Sequence, residues 1–382
     1  MAFGIVCEYN PFHNGHLHQI NEIKKITDEP IICVMSGNFT QRGEIAIADK
    51  YARAKMAIEG GADLVVELPV PFSIASAEYF ASAGVNILAR MGVDKLSFGS
   101  ESADADKIMK IAEIAASDEF KCECANLSKE QGSTGAYFEL LAKKSGVSDI
   151  KSNDILAIEY AKAIIKNEYN MQICPIKREG NAYRDTQLFL GELPSASAIR
   201  EAIFKGKFDD ICSFVPDSTL AILNENELAD VEKIKNAVLL TLRLMDSDKL
   251  DVAISDRGLV NRILDTAHEC ASFNEFEYKL QTKKYTASAI RRAILYILLG
   301  VKQGDLEKMP EYTVLLGASE KGREYLSSIR KNENAMRIIT KPADAEGNRQ
   351  FEISKKADAL YTMCFENKKE SGFYIKKSPV IV

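Results

Sequence analysis

Between residues 3 and 178 short apolar runs alternate with helical stretches, and that alternation leaves few folds open. FGIVCEY, PIICVMS, ADLVVELP, DKLSFGS and MQICPIKR are each apolar enough for a strand buried inside a sheet. LHQINEIKKI, DKYARAKMAIEGG, SAEYFASAGVNILARMG and ILAIEYAKAIIKNE lie between them, with apolar residues at helix spacing and a glycine closing several. Strands joined through helices form parallel sheets with helices on both faces, so an α/β fold is expected. From about residue 196 only helices are expected, in SASAIREAIFKG, LAILNENELADVEKIKNAVLLTLRLM, GLVNRILDTAHECA and SAIRRAILYILLG. Beyond Pro310 come a short strand in EYTVLLG, a helix and a closing strand. The expected division is therefore an α/β unit over 1–205 and a mainly helical unit over 206–382.

Three of the four histidines, His13, His16 and His18, fall within six positions in EYNPFHNGH and the residues after it. The first strand ends before them and a helix starts after them. In open α/β sheets ligands bind at such a strand-to-helix turn, where helix N–H groups and the helix dipole favour an anion. Imidazoles three residues apart share one helix face and can both donate to phosphate oxygens, while Gly15 between them admits phosphate close to the backbone. Such a site stabilises charge on a phosphorus under attack by positioning and electrostatics. A zinc site of His13, His16 and Cys7 would lack a fourth ligand, and a solvated helix start is the bland alternative.

The net charge of −6 argues against a nonspecific nucleic-acid coat but leaves room for a local patch that binds RNA. Lys279, Lys283, Lys284, Arg291, Arg292 and Lys302 lie between residues 279 and 303 with no acidic residue among them; Lys283, Lys284, Arg291 and Arg292 are the candidate RNA contacts, with a solvated amphipathic helix whose core face carries Ile290, Ile294, Ile297 and Leu298 as the bland alternative. Apolar runs such as AILYILLGV fall short of the roughly 20 residues a membrane helix needs, and MAFGIVCEYN has no basic leader. The scattered cysteines read as reduced thiols of a cytoplasmic protein, and Cys122 and Cys124 have no second pair to complete a metal site. SASAIR at 195–200 is echoed by TASAIR at 286–291, which reads as two helix starts capped by Ser195 and Thr286.

HNGH resembles the HxGH form of the signature of the HIGH-motif nucleotidyltransferase superfamily, and Ser195-Ala-Ser197-Ala-Ile-Arg200 resembles its second signature, S-x-[ST]-x-x-R. EYNPFHNGH, SGNFTQRGE, DKYARAKMAIEGGADLVVELP, FGSE, KSNDILAIEY, REGNAYRD, KKYTASAIRRAILYILLG and LGASEKGRE together resemble the tRNA(Met) cytidine acetate ligase family along nearly the whole chain. The resemblance implies a Rossmann-like nucleotidyltransferase unit followed by a tRNA-binding helical unit. It also implies an ATP-dependent ligase that activates acetate as acetyl-adenylate and acetylates N4 of the wobble cytidine of elongator tRNA(Met). Catalytic roles would fall on His13 and His16. ATP contacts would fall on Val6, Cys7, Glu8, Tyr9, Asn10, Pro11, Phe12, His13, Asn14, Gly15, His16, Leu17, His18 and Gln19, and on Gly99, Asn153, Arg178, Ser195 and Ser197, with Mg²⁺ accompanying ATP. Tyr-His commonly stands in the family where this chain has His18-Gln19, and Tyr-His-Asp where it has Tyr183-Arg184-Asp185, so His18 and Arg184 carry no inherited role. Arg42 could hold a carboxylate or phosphate, or lie in a surface loop. Glu8 and Glu67 could hold Mg²⁺ or bond to the protein itself. An adenylyltransferase acting on a small phosphorylated metabolite, and a nucleotide-sensing RNA-binding protein, are the alternatives; the basic helical unit disfavours the first and the paired signatures the second.

Overall fold

The computed structural model describes residues 1–126, 134–147, 150, 152–178, 195–254, 256–282, 284–330 and 332–382. The five expected strands are β1 (Phe3–Cys7), β2 (Ile31–Ser36), β3 (Leu64–Leu68), β4 (Lys95–Ser100) and β5 (Gln172–Lys177). They pair in parallel in the order β5-β4-β1-β2-β3, with Ile5 opposite Cys33, Cys33 opposite Val65 and Gly99 opposite Ile176. β1, β2 and β3 are buried along their whole length, as near-continuous apolar strands between two helical layers must be. The chain runs from β1 outward to β3, then crosses back to lay β4 on the other side of β1. That reversal opens a crevice at the carboxyl ends of β1 and β4.

The expected unbroken helix over 220–245 is instead Asp217–Glu225, a short 3₁₀ turn at Val231–Ile234 and Lys235–Arg243. The Ala229 N–H donates to the Ile47 carbonyl and the Asp230 N–H to the Cys364 carbonyl, both at 2.8 Å, so tertiary partners take backbone groups a helix would have used. Helices Arg257–Glu269, Phe273–Leu280 and Ala287–Leu299 complete the middle of the chain.

Past residue 310 the chain returns to the first sheet. β6 (Thr313–Ala318) runs antiparallel beside β3, and β7 (Ile338–Ile339) and β8 (Val380–Ile381) pair in parallel with β6. A buried ion cluster fastens this return. Lys50 Nζ donates to both oxygens of Glu67 (3.0 and 2.8 Å) and to Asp358 Oδ2 (2.8 Å), and Asn38 Nδ2 donates to Asp358 Oδ1 (2.9 Å). Burial opposes the charge on Lys50, but Asp358 and Glu67 overcome it and hold its pKa well above the usual lysine value.

Candidate active site

The turn after β1 is rigid before any ligand arrives. Tyr9 has φ 47°, a left-handed conformation that costs a side-chain-bearing residue energy, and its ring is buried. Asn10 Oδ1 accepts the Ile47 N–H at 2.9 Å. Arg53, fully buried, donates to the carbonyls of Glu8 (2.6 Å), Ser36 (3.1 Å), Ala48 (2.9 Å) and Gly37. One guanidinium thus ties together the carboxyl ends of β1 and β2.

His13 is the N-cap of helix Asn14–Ile26. Its Nδ1 accepts the Gly15 N–H at 3.0 Å, and its own N–H donates to His16 Nδ1 at 3.2 Å. This reciprocal cap is the arrangement Ser and Glu make at other helix starts, built here from two imidazoles. The rings stack with centroids 3.8 Å apart, and His16 also packs 4.7 Å from Tyr9 and 5.7 Å from Phe12. An Nδ1 that accepts a hydrogen bond carries no proton, so each neutral ring keeps its proton on Nε2. The cap uses neither Nε2–H. Burial first, then the charges of Arg178 and Arg200, push the His13 pKa down to about 3. Burial, His13 and Arg178 push His16 well below its usual value. The pair is therefore suited to donate two hydrogen bonds to an anion and unsuited to shuttle protons near neutral pH.

Arg178 reaches this pair from β5 by crossing Gly99. A Cβ at residue 99 would stand 3.0 Å from Arg178 Cγ, so any side chain there would push the arginine stem aside. Arg200 approaches from the other side. Ser195 caps helix Ala196–Phe204 by accepting the Ala198 N–H at 3.2 Å. Arg200 Nη1 donates to the Asn10 carbonyl at 3.0 Å, while Nη2 donates to Glu44 Oε2 at 2.9 Å and to Ser197 Oγ at 3.3 Å. The two guanidiniums converge on the histidines, one from the end of β5 and one from helix Ala196–Phe204, which favours a polyanion there.

The other expected contacts divide by burial. The side chains of Val6, Cys7, Tyr9 and Phe12 belong to the core, so this stretch can meet a ligand only through its backbone. Pro11 is buried, and the Asn10–Pro11 peptide is cis. Glu8 Oε1 accepts the Gln41 N–H at 2.7 Å, and burial pushes its carboxyl pKa up. Asn14 donates to the Ser213 carbonyl, and Gln19 to Ser97 Oγ at 3.3 Å. Leu17 and His18 follow on the same helix, half-buried. Asn153 stands in the first turn of helix Ser152–Lys166, with its side chain outside the described residues; its neighbour Asp154 accepts Ser100 Oγ–H at 2.8 Å. Arg184 and Lys283 also lie outside them.

The expected RNA contacts are partly engaged within the protein. Arg291 Nε donates to the Arg42 carbonyl (3.1 Å) and its Nη2 to Glu44 Oε1 (3.1 Å), while Arg292 Nη1 donates to the Gln41 carbonyl (3.4 Å). Lys284 pairs with Asp256 at 2.8 Å and stays exposed. Glu44, Arg53 and Asp154 were not anticipated; SGNFTQRGE and SNDIL, which contain Glu44 and Asp154, were the available signals. Among the described residues no group of three His, Cys, Asp or Glu side chains could hold a metal ion. No described helix is long and apolar enough to cross a membrane.

Residues 1–374 match the family described as HIGH Nucleotidyl Transferase. The tRNA(Met) cytidine acetate ligase of Caldanaerobacter subterraneus subsp. tengcongensis is 37% identical over 96% of this chain and 96% of its own. The protein of the same name from Acetivibrio thermocellus is 36% identical over 96% of this chain and 95% of its own. A crystal structure of Thermotoga maritima TmcAL bound with alpha-thio ATP superposes with a TM-score of 0.87 at 30% identity, covering 100% of this chain and 99% of that one. The apo form superposes with a TM-score of 0.88 at 31% identity.

Proposed function

Since the chain belongs to the tRNA(Met) cytidine acetate ligases, a HIGH nucleotidyl transferase family, we propose that it uses ATP to activate acetate and acetylates N4 of the wobble cytidine of elongator tRNA(Met). An acetate oxygen attacks the α-phosphorus, the bond to pyrophosphate breaks, and acetyl-adenylate forms. The cytidine N4 then attacks the acetyl carbon and AMP departs. The observation that carries this reading is the reciprocal His13–His16 cap, which leaves an Nε2–H on each ring outside the cap at a helix N-terminus flanked by Arg178 and Arg200. These groups donate to the α-phosphate and to the departing pyrophosphate, where charge grows as the bond breaks.

The crystallised relative with alpha-thio ATP supports ATP as the nucleotide. Magnesium would accompany ATP as its chelate, since Lys50 occupies both oxygens of Glu67 and Glu8 Oε1 accepts the Gln41 N–H, which leaves these carboxylates poorly placed to hold it. Residues 1–205 supply the nucleotide site and residues 206–382 most RNA contacts, in the cytoplasm where ATP, acetate and tRNA meet.

Exchange of labelled pyrophosphate into ATP tests the reading. Exchange that requires acetate supports it. Exchange that requires a phosphorylated metabolite instead would make the protein an adenylyltransferase, and nucleotide binding without exchange would make it a sensor.

A further inference from the structure

The echo between SASAIR and TASAIR converges on one carboxylate. Ser195 and Thr286 cap their helices in the same way, each accepting the N–H three residues on at 3.2 Å. The arginine at the sixth position of each copy then reaches Glu44, Arg200 at Oε2 (2.9 Å) and Arg291 at Oε1 (3.1 Å). We propose that Glu44 is a positioning residue that releases Arg200 to the bound triphosphate and then holds Arg291 with both oxygens, so that nucleotide binding tightens helix Ala287–Leu299 onto the loop over residues 41–44. The proposal rests on the reading of the site as an ATP site.

Three observations support it. Arg200 lies close enough to His13 for its charge to lower the imidazole pKa, so an anion on the histidines is within its field. Glu44 is about one-third exposed and carries one charge shared between two guanidiniums. A triphosphate offers several charges and bidentate oxygens, and outcompetes it for Arg200. The link to the helix has little slack. Gly43 has φ +69°, and a Cβ there would stand 2.9 Å from Arg291 Cβ and from the Arg292 backbone nitrogen, so loop and helix already touch backbone to backbone. Once Arg200 leaves, the second oxygen of Glu44 is open to the remaining fork of Arg291, and the contact between loop and helix stiffens.

Hydrogen–deuterium exchange of the full chain, with ATP present and acetate and tRNA absent, tests this. The amides of residues 41–44 and of the first turns of Ala287–Leu299 should exchange about 5-fold more slowly with ATP, the lower end of ordinary site-to-site coupling. Glu44→Gln keeps the shape but loses the charge, so ATP should change these rates by less than about 1.5-fold although calorimetry shows it bound. Glu44→Asp, which keeps the charge, should recover at least half of the effect. ATP bound to the wild type without slowing these amides, full slowing in Glu44→Gln, or equal loss in Gln and Asp overturns the proposal. Absence of ATP binding to the wild type removes the reading of the site, and the proposal with it. Acetate-dependent pyrophosphate exchange without the amide effect leaves that reading standing and removes only the role of Glu44.

Discussion

The side chain of Arg178 lies across Gly99, so that a methyl group at residue 99 would stand 3.0 Å from Cγ and 3.3 Å from Cδ of the arginine. The backbone there is already fixed, because the Arg178 N–H donates to the Ser100 carbonyl at 3.1 Å. Gly99→Ala should therefore displace the guanidinium without disturbing the sheet. We expect the KM for ATP to rise about 10-fold, equivalent to about 1.4 kcal/mol of lost binding, with the thermal midpoint nearly unchanged. Arg178→Ala should give the same rise, and the double variant no more than either alone, because both changes remove one contact. Normal ATP binding by Gly99→Ala would show that the arginine acts from elsewhere.

His13→Ala and His16→Ala should each lower the rate of acetyl-adenylate formation by about 10²-fold while changing ATP affinity less, since donors aimed at developing charge act mainly on kcat. Each change also breaks one half of the reciprocal cap, while the remaining histidine keeps its tautomer because its Nδ1 accepts from a backbone N–H. Single-turnover formation of acetyl-adenylate measures the effect. An unchanged rate in either variant would remove that histidine from the chemistry.

The depressed histidine pKa values also set how stability depends on pH. Unfolded histidine takes up a proton near pH 6.5, whereas folded His13 resists until about pH 3. Between those values the unfolded chain binds more protons than the folded one, so stability is full above pH 6.5 and falls as pH falls through the window. The loss attributable to His13 is about 2 kcal/mol at pH 5, where most carboxylates are still ionised. Denaturant unfolding of the wild type and of His13→Asn at pH 7 and pH 5 isolates it. The wild type should lose more stability than the variant by about that amount, and parallel losses would mean that the imidazole is protonated in the folded state.

How much of this was legible in the sequence depended on distance along the chain. The five parallel strands and the His13–His16 turn follow from apolar runs and spacing within about a dozen residues. The pairing of Leu64 with Ala318 joins residues far apart, and no local pattern carries it. Asp358 is likewise brought to Lys50 and Glu67 only by that long return. Arg291 and Arg292 read locally as an exposed basic pair, yet the Gln41 and Arg42 carbonyls and Glu44 engage them. Their role depends on a loop whose position the second strand sets, and spacing within the basic stretch contains no trace of it.

That engagement splits the basic patch into two parts with different expected consequences. Among the described residues Lys284, which is exposed, pairs with Asp256 and the Tyr285 ring, and a surface ion pair of this kind is worth little, so a phosphate can draw the lysine away. Lys283→Ala with Lys284→Ala should weaken tRNA binding and flatten its dependence on log salt by up to about one unit of slope per lost contact, with acetyl-adenylate formation unchanged. Arg291→Ala with Arg292→Ala should do more. Beyond any lost phosphate contact, it unfastens the 41–44 loop from helix Ala287–Leu299 and leaves Glu44 to Arg200 alone, which holds Arg200 back from the triphosphate. Acetyl-adenylate formation without tRNA should then fall about 10-fold at subsaturating ATP and recover when ATP is raised. Binding titrations between about 50 and 200 mM salt, run beside pyrophosphate exchange, separate the two effects. If the arginine pair lowers only tRNA affinity, the loop contact plays no part in ATP activation and these arginines serve RNA alone. If the lysine pair leaves the salt slope unchanged, the RNA backbone is held on another face of the protein.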